Sequence, residues 1–221
     1  MQPRSGHLEQ VFHIFAYLKH HKRSTMVFDS TPVDWDESSF TTHEWEDFYK
    51  DAKEAISPNA PEPRGNAVQI NCFVDADHAG NRVTRRSHTG VLIFLNRAPI
   101  LWHSKAQNTV ETSTIGSEFV AMRIATELVE GLRYKLRMFG VPIDGAANVF
   151  CDNQGVVLNT SVPSSTLKKK HNAIAYHRVR EAVAANTIRV TKVSSEKNVA
   201  DLLTKPLPGP KLHAFAQKIL Y

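Results

Sequence analysis

The sequence predicts a mixed α/β protein, in which three antiparallel strands are followed by alternating helices and strands around one sheet. Three observations predict it. The apolar runs "VQINCFVDA", "TGVLIFLNR" and "PILWHSKA" come one after another, the last two separated by a tight turn at "NRAP". Glu118, Met122, Ala125, Val129, Leu132 and Leu136 then recur at helical spacing on one stripe. After it "NVFCD" reads as a short buried strand, "HNAIAYHRVREAVAANT" as a helix, "IRVTKV" as a strand and "NVADLLTK" as a short helix. The order β-β-β-α-β-α-β-α implies a five-stranded mixed sheet with helices on both faces.

The element ends have local causes. Gly140, followed by Pro142, stops the long helix, and Pro206 stops the last one. Ahead of the sheet, Leu8, Val11, Phe12, Phe15 and Leu18 make "GHLEQVFHIFAYLKHH" an amphipathic helix whose apolar face needs a partner. An acidic, aromatic-rich stretch follows, and then "ISPNAPEPRGNA", dense in Pro, Asn and Gly, which reads as a linker ending near residue 66. The expected organisation is an appendage over 1–66, an α/β domain over 67–208 and a C-terminal tail over 209–221.

Composition narrows the class. At 221 residues and 42% hydrophobic content, the chain can bury one good core. No window approaches the roughly 18 to 20 apolar residues of a membrane span, and "MQPRSGHLEQ" has no apolar signal core, so an intracellular protein without a membrane partner is expected. Cys72 and Cys151 are too few for a disulfide framework or a thiolate zinc site and read as small core residues. The +5 charge suits a polyanionic partner.

The chemistry rests on acids. Asp75 ends the first strand, with Asp77 two residues on as a competitor that spacing alone does not eliminate. Glu118 continues the apolar stripe of the long helix, so it faces a buried surface where a carboxylate must be paired, neutralised or bound to metal. Asp152 follows the fourth strand, where it could cap a helix, and Asp201 stands three residues after Asn198, where it could belong to a capping box. Singly, each has a structural explanation. Together they lie where an open mixed sheet gathers its ligands, at strand carboxyl ends. Four converging carboxylates need cations, and an all-oxygen donor set suits Mg²⁺ or Mn²⁺ rather than zinc. Two such ions form a phosphodiester-hydrolysing centre.

The segments "FVDADHAG", "RRSHTGVLIFLN", "PILWHSKAQ", "ETSTIGSEFVAM", "CDNQGVV", "KKKHNAIAYHRVRE" and "NVADLLTKPLP", spread over residues 71–208, resemble the ribonuclease H domain of copia-type retrotransposon polyproteins. The resemblance implies a ribonuclease H-like fold and two Mg²⁺ ions, replaceable by Mn²⁺. Asp75 would bridge the ions, Asp201 would complete the site of the water-activating one, and Glu118 and Asp152 would hold the other. It implies cleavage of the RNA strand of RNA–DNA hybrids, leaving 3′-hydroxyl and 5′-phosphate ends. Residues 1–66 resemble the tail of the reverse transcriptase that precedes this domain, which makes the polymerase domain a partner and a cytoplasmic virus-like particle, or the nucleus, the expected location. The polymerase's paired aspartates are absent from this sequence, so no DNA synthesis is expected.

Two departures stand out. Where the family has "SSTEAEY", this chain has "TSTIGSEF", and a helical Gly116 in that segment is expected to loosen the turn that presents Glu118, at a cost of up to about 1 kcal/mol relative to Ala. The loop "VSSEKN" before Asp201 lacks the histidine many ribonuclease H enzymes carry there.

For the substrate, cations are needed along two phosphate backbones. Arg85, Arg86, Lys105 and Gln107, with the run Lys168, Lys169, Lys170 and His171, are the contacts expected, while Asp77 and His177 are auxiliary positions. Trp102 is expected to pack on the sheet. A second reading, a domain of this fold that binds but cuts nothing, is opposed by the presence of all four acids. A third, an integrase-type core, would place a Glu such as Glu181 beside the strand-end acids.

Overall fold

The computed structural model describes residues 4–45, 47–167 and 170–220. Its centre is a five-stranded sheet in the order β3-β2-β1-β4-β5, built from Ile70–Ala76 (β1), His88–Leu95 (β2), Ala98–Ala106 (β3), Ala147–Cys151 (β4) and Ile188–Lys192 (β5). β1, β2 and β3 pair antiparallel, whereas β1–β4 and β4–β5 are parallel. The hairpin between β2 and β3 turns tightly at Asn96, which holds φ +54°. Reversal of strand direction between β2 and β4 makes β1 the place where two carboxyl ends lie side by side.

Alternation sorts the side chains of β1 to two faces. Ile70, Cys72, Val74 and Ala76 meet Val149 and Cys151 of β4 and the helices Thr114–Met138 (α2), Gln154–Ser161 (α3) and Ala173–Ala184 (α4), forming the main core. Phe73 points the other way, toward Leu92, Phe94, Val199 and Phe215. That face is covered by a 3-10 turn, Val199–Leu203, and by the helix Gly209–Ala216 (α5), so helices cover both faces as expected. The segment read as a C-terminal tail thus carries a helix whose Phe215 is buried.

Residues before the boundary expected near 66 behave in two ways. The helix Ser5–His20 (α1) buries none of its residues, and Leu8, Phe12, Ile14, Phe15 and Leu18 are all exposed. Residues 33–45 and 47–54, in contrast, strap the β4–β5 side of the sheet. Trp35 donates its indole N–H to Asn71 Oδ1 (2.8 Å) and packs on Phe150, Thr191 donates to the Ser39 carbonyl, and Arg189 pairs with Glu37 beneath the ring of Phe40.

A buried arginine anchors this strap. Arg180 of α4 donates to the carbonyls of Asn159 (2.9 Å), Val162 (2.8 Å) and Pro163 (2.6 Å) and to Ser165 Oγ (2.7 Å), so it takes up the C-terminal carbonyls of α3. Its guanidinium lies between Trp45 and Tyr176, 4.8 and 4.7 Å from their ring centres. Further along, Glu54 accepts from Arg133 Nε (2.7 Å) and Arg137 Nη2 (2.5 Å) of α2.

Burial pushes the Glu54 carboxyl up, but the two guanidiniums more than reverse this and hold it at about 2. A carboxyl depressed from its ordinary 4.5 adds stability that is complete above that value and is lost as pH falls toward about 2. Glu54→Gln is expected to cost about 1–2 kcal/mol at neutral pH, a figure discounted for partial exposure, and to flatten the acid limb of stability between pH 4.5 and 2. Urea melts across that range check both.

Candidate active site

Four acids arrive by four routes. Asp75 is the penultimate residue of β1, paired with Gly90 of β2 and buried at 2% exposure. Asp152 directly follows β4, half-buried. Glu118 enters from the first turns of α2, which Ser113 caps by accepting from Gly116 N. Asp201 sits in the 3-10 turn 199–203, whose cap Asn198 accepts from Ala200 N and donates its amide to the Val74 carbonyl (2.9 Å), fastening the turn to β1.

Their oxygens converge. Ligand atoms of Asp75, Asp152 and Asp201 lie within 4.8 Å of one another, as do those of Glu118, Cys151 and Asp152. The two groups share Asp152, so all four carboxylates surround one small space. The competing roles fall away: the cap of α3 is Asn153, which accepts from Gly155 N (3.0 Å) and Val156 N (3.3 Å), and the Asp201 carboxylate turns to lysines instead of Asn198. Asp77 lies past the end of β1 and accepts from His88 N, closing the β1–β2 loop. A Cβ on Gly80 would fall 1.8 Å from Asp77 Oδ2, so glycine is what lets that contact form. Asp77 is a loop residue, and Asp75 is the acid in the cluster.

Charge confirms how tightly the group is held. Burial first, then the fields of Asp75 and Asp152, push the Glu118 carboxyl to about 9. Burial raises Asp75 to about 6, although Thr204, which donates to its Oδ2, and Lys205 pull it back. Asp201 goes the other way despite burial, because Lys205 Nζ is 2.7 Å from Oδ1 and Lys211 Nζ 2.9 Å from Oδ2. Lys205 also lies 3.5 Å from Asp75 Oδ2. Neither lysine stood out in the sequence. The four-residue spacing from Asp201 to Lys205 was a usable signal, but nothing local pointed to Lys211.

Glu118 Oε2 is buried and has no hydrogen-bond partner among the described residues, an orphaned oxygen beside three more carboxylates. Cys151 adds a sulfur, but burial keeps its thiol well above the ordinary range and therefore protonated. The donor set is hard oxygen, which fits divalent cations of the Mg²⁺ type.

Two glycines let these elements approach. A Cβ on Gly90 would lie 2.7 Å from Thr204 Cγ2 and 2.8 Å from the Ala200 carbonyl, so the Asp201 turn could not rest on the sheet. A Cβ on Gly116 would lie 2.7 Å from Glu111 Oε2 and 3.2 Å from Asn172 Nδ2. A side chain at Gly116 would thus press on the tips of Glu111 and Asn172, while the helix itself starts regularly at Thr114 under the Ser113 cap.

The expected substrate contacts scatter more. Arg85 and Arg86 are exposed on the β1–β2 loop. Lys105, Gln107, Arg123, His171 and Asn172 line one cavity of about 360 Å³ beside the start of α2. Gln107 spends its amide N–H groups on Thr89 Oγ1 (3.0 Å) and the Ser117 carbonyl (2.9 Å), leaving Oε1 unpartnered. His171 lies 3.4 Å from Glu111, and Lys170 is exposed next to it. Lys168 and Lys169 lie outside the described residues. His177 is engaged by Tyr49, whose hydroxyl is 2.5 Å from Nδ1, and belongs to the strap contact. Glu181 lines a separate groove with Phe48, Glu54 and Tyr134 and is in neither acid group among the described residues, which removes the integrase-type arrangement. Trp102, expected on the sheet, is 58% exposed at the rim of an apolar groove with Tyr17 and Leu203.

No family model matches the chain. Curated proteins do: it is 31% identical over 156 residues to the retrovirus-related Pol polyprotein from transposon RE1 of Arabidopsis thaliana, a match covering 71% of this chain and 11% of that protein. The chain belongs to the retrotransposon Pol polyproteins. It is also 32% identical over 147 residues to the Pol polyprotein from transposon TNT 1-94 of Nicotiana tabacum, covering 66% of this chain and again 11% of the relative. This Pol segment therefore spans about a ninth of the length of the relatives it matches. Its fold is that of ribonuclease H. The structure of LC11-RNase H1 in complex with RNA/DNA hybrid matches it with a TM-score of 0.50 at 18% identity, covering 62% of this chain and 94% of that one.

Two outcomes test the site. Because burial favours a proton on Glu118 in the folded state that the unfolded chain releases, the Glu118 contribution to metal-free stability should be complete below 4.5 and be lost as pH rises toward about 9. Glu118→Gln is expected to remove that slope and stabilise the metal-free protein on its alkaline side by about 1–3 kcal/mol, as read by melts in EDTA. Gly90→Ala is expected to cost about 1–3 kcal/mol by displacing the Asp201 turn, and hydrogen exchange confined to residues 198–204 would localise the damage.

Proposed function

We propose that this Pol segment is a two-metal ribonuclease H that hydrolyses the RNA strand of RNA–DNA hybrids during retrotransposon replication. The observation that carries the reading is the convergence of Asp75, Glu118, Asp152 and Asp201 at the β1–β4 carboxyl ends, with Glu118 Oε2 lacking a partner among the described residues. Asp75, Glu118, Asp152 and Asp201 would hold divalent cations of the Mg²⁺ or Mn²⁺ type, whose chemistry would be to activate water near neutral pH and to stabilise a leaving oxygen. Asp152 is common to both groups of ligand atoms, and Asp201, held toward its ionised form by two lysines, offers a carboxylate at physiological pH. Glu118 and Asp152 make the second half of the site.

The substrate reading is supported by charge beside that centre. The cavity next to the start of α2 is lined by Lys105, Arg123 and His171 as well as Glu111, and its cations suit a phosphate backbone. Arg85 and Arg86 extend the positive surface on the β1–β2 loop. The exposed apolar residues of α1 support the polymerase part of the same polyprotein as its covering partner.

The test is cleavage of a hybrid labelled on each strand, in Mg²⁺ and in Mn²⁺. Cutting of the RNA strand alone, abolished by EDTA and lowered at least 10²-fold by Asp75→Asn, is the expected outcome. Absence of cutting by folded protein in either metal would replace the nuclease with a domain that binds and does not cut.

A further inference from the structure

Helix α5 lies beyond the segment that carries the nuclease motifs, yet it reaches the acidic cluster. Lys211 Nζ sits 2.9 Å from Asp201 Oδ2 and 2.9 Å from the Ser195 carbonyl, and Glu196 Oε1 is 3.7 Å away. Ser195 in turn donates its hydroxyl to Asp152 Oδ2 at 2.8 Å. One ammonium therefore links Asp201, through the loop at 195, to Asp152, and these two acids come from different elements. The lysine is held from below: Phe215, one turn further along α5, is buried among Leu92, Phe94 and Val199, and the Lys211 ammonium lies 5.2 Å from its ring centre.

We propose that Lys211 is a positioning residue of the metal centre, setting the spacing of Asp152 and Asp201, and that α5 is an integral part of the nuclease. This rests on reading the acids as a metal site. Each carboxylate oxygen has more than one acceptor direction, so Asp201 Oδ2 can accept from Lys211 and still ligate a cation. Partners of this kind orient a ligand before the metal arrives, and losing one typically costs about 10–100-fold in metal affinity.

The experiment is calorimetric titration of Mn²⁺ into the full chain without nucleic acid, for wild type, Lys211→Met and Lys211→Arg, with melts in EDTA alongside. Lys211→Met keeps the apolar stem that packs on Phe215 and removes the charge and donors. A tenfold or greater loss of Mn²⁺ affinity in K211M, largely recovered in K211R, with both variants melting cooperatively, is the expected result. Mn²⁺ binding by K211M as tight as wild type, or tighter, would overturn the proposal and make Lys211 a simple counter-charge that competes with the ion. A wild type that binds Mn²⁺ but leaves the hybrid intact would sink the nuclease reading, while the affinity difference would still support the positioning role. A wild type that takes up no Mn²⁺ would overturn both.

Discussion

Everything around the carboxyl ends of β1 and β4 answers to the mutual repulsion of four carboxylates in a poorly solvated space. A like-charged pair at ~4 Å costs on the order of 4 kcal/mol at the effective dielectric of a protein surface, and here several such pairs share one region. The fold tolerates them by spreading the cost. Glu118 is held toward its neutral form, Asp75 is raised but bonded by Thr204, and Asp201 is compensated by Lys205 and Lys211. The acids are thus unlike one another before any cation binds, although sequence gives them similar standing.

Holding the group together requires rigid delivery. β1 and β4 are fixed by parallel pairing from Asn71 to Val74, which sets Asp75 and Asp152 in register. Gly90 lets the Asp201 turn lie on the sheet, and Asn198 fastens it to β1 through a main-chain carbonyl. On the helical side, Arg180 directs its guanidinium to carbonyls at the end of α3 and to the rings of Trp45, Phe48, Tyr49 and Tyr176, which ties the strap to the helices.

The strand order, the long helix and the four acids were legible because each leaves a local mark: alternation, a 3.6-residue stripe, an acid where a strand ends. The choice between Asp75 and Asp77 was not legible, because it depends on the strand ending at Ala76 and on Asp77 folding back to His88 N. The surroundings of Gly116 were not legible either, because Glu111 and Asn172 become its neighbours only in space. The strap over residues 33–45 and 47–54 read as acidic loop and linker, since contacts such as Trp35 to Asn71 and Glu54 to Arg133 span 36 and 79 residues and leave no periodic trace.

The strap also changes the two margins of the sheet. A strand with one unpaired side offers a row of free main-chain donors and acceptors to any other extended chain, and β5 and β3 are the two such strands here. Along β5 the strap intervenes, with Ser39 taking the hydroxyl of Thr191 and Glu37 the guanidinium of Arg189. β3 is defended by its own composition instead: Pro99 withholds one donor near its start, and His103 and Lys105 put polar groups along its second half. The sheet thus guards one margin by covering it and the other by making it a poor template for further strands.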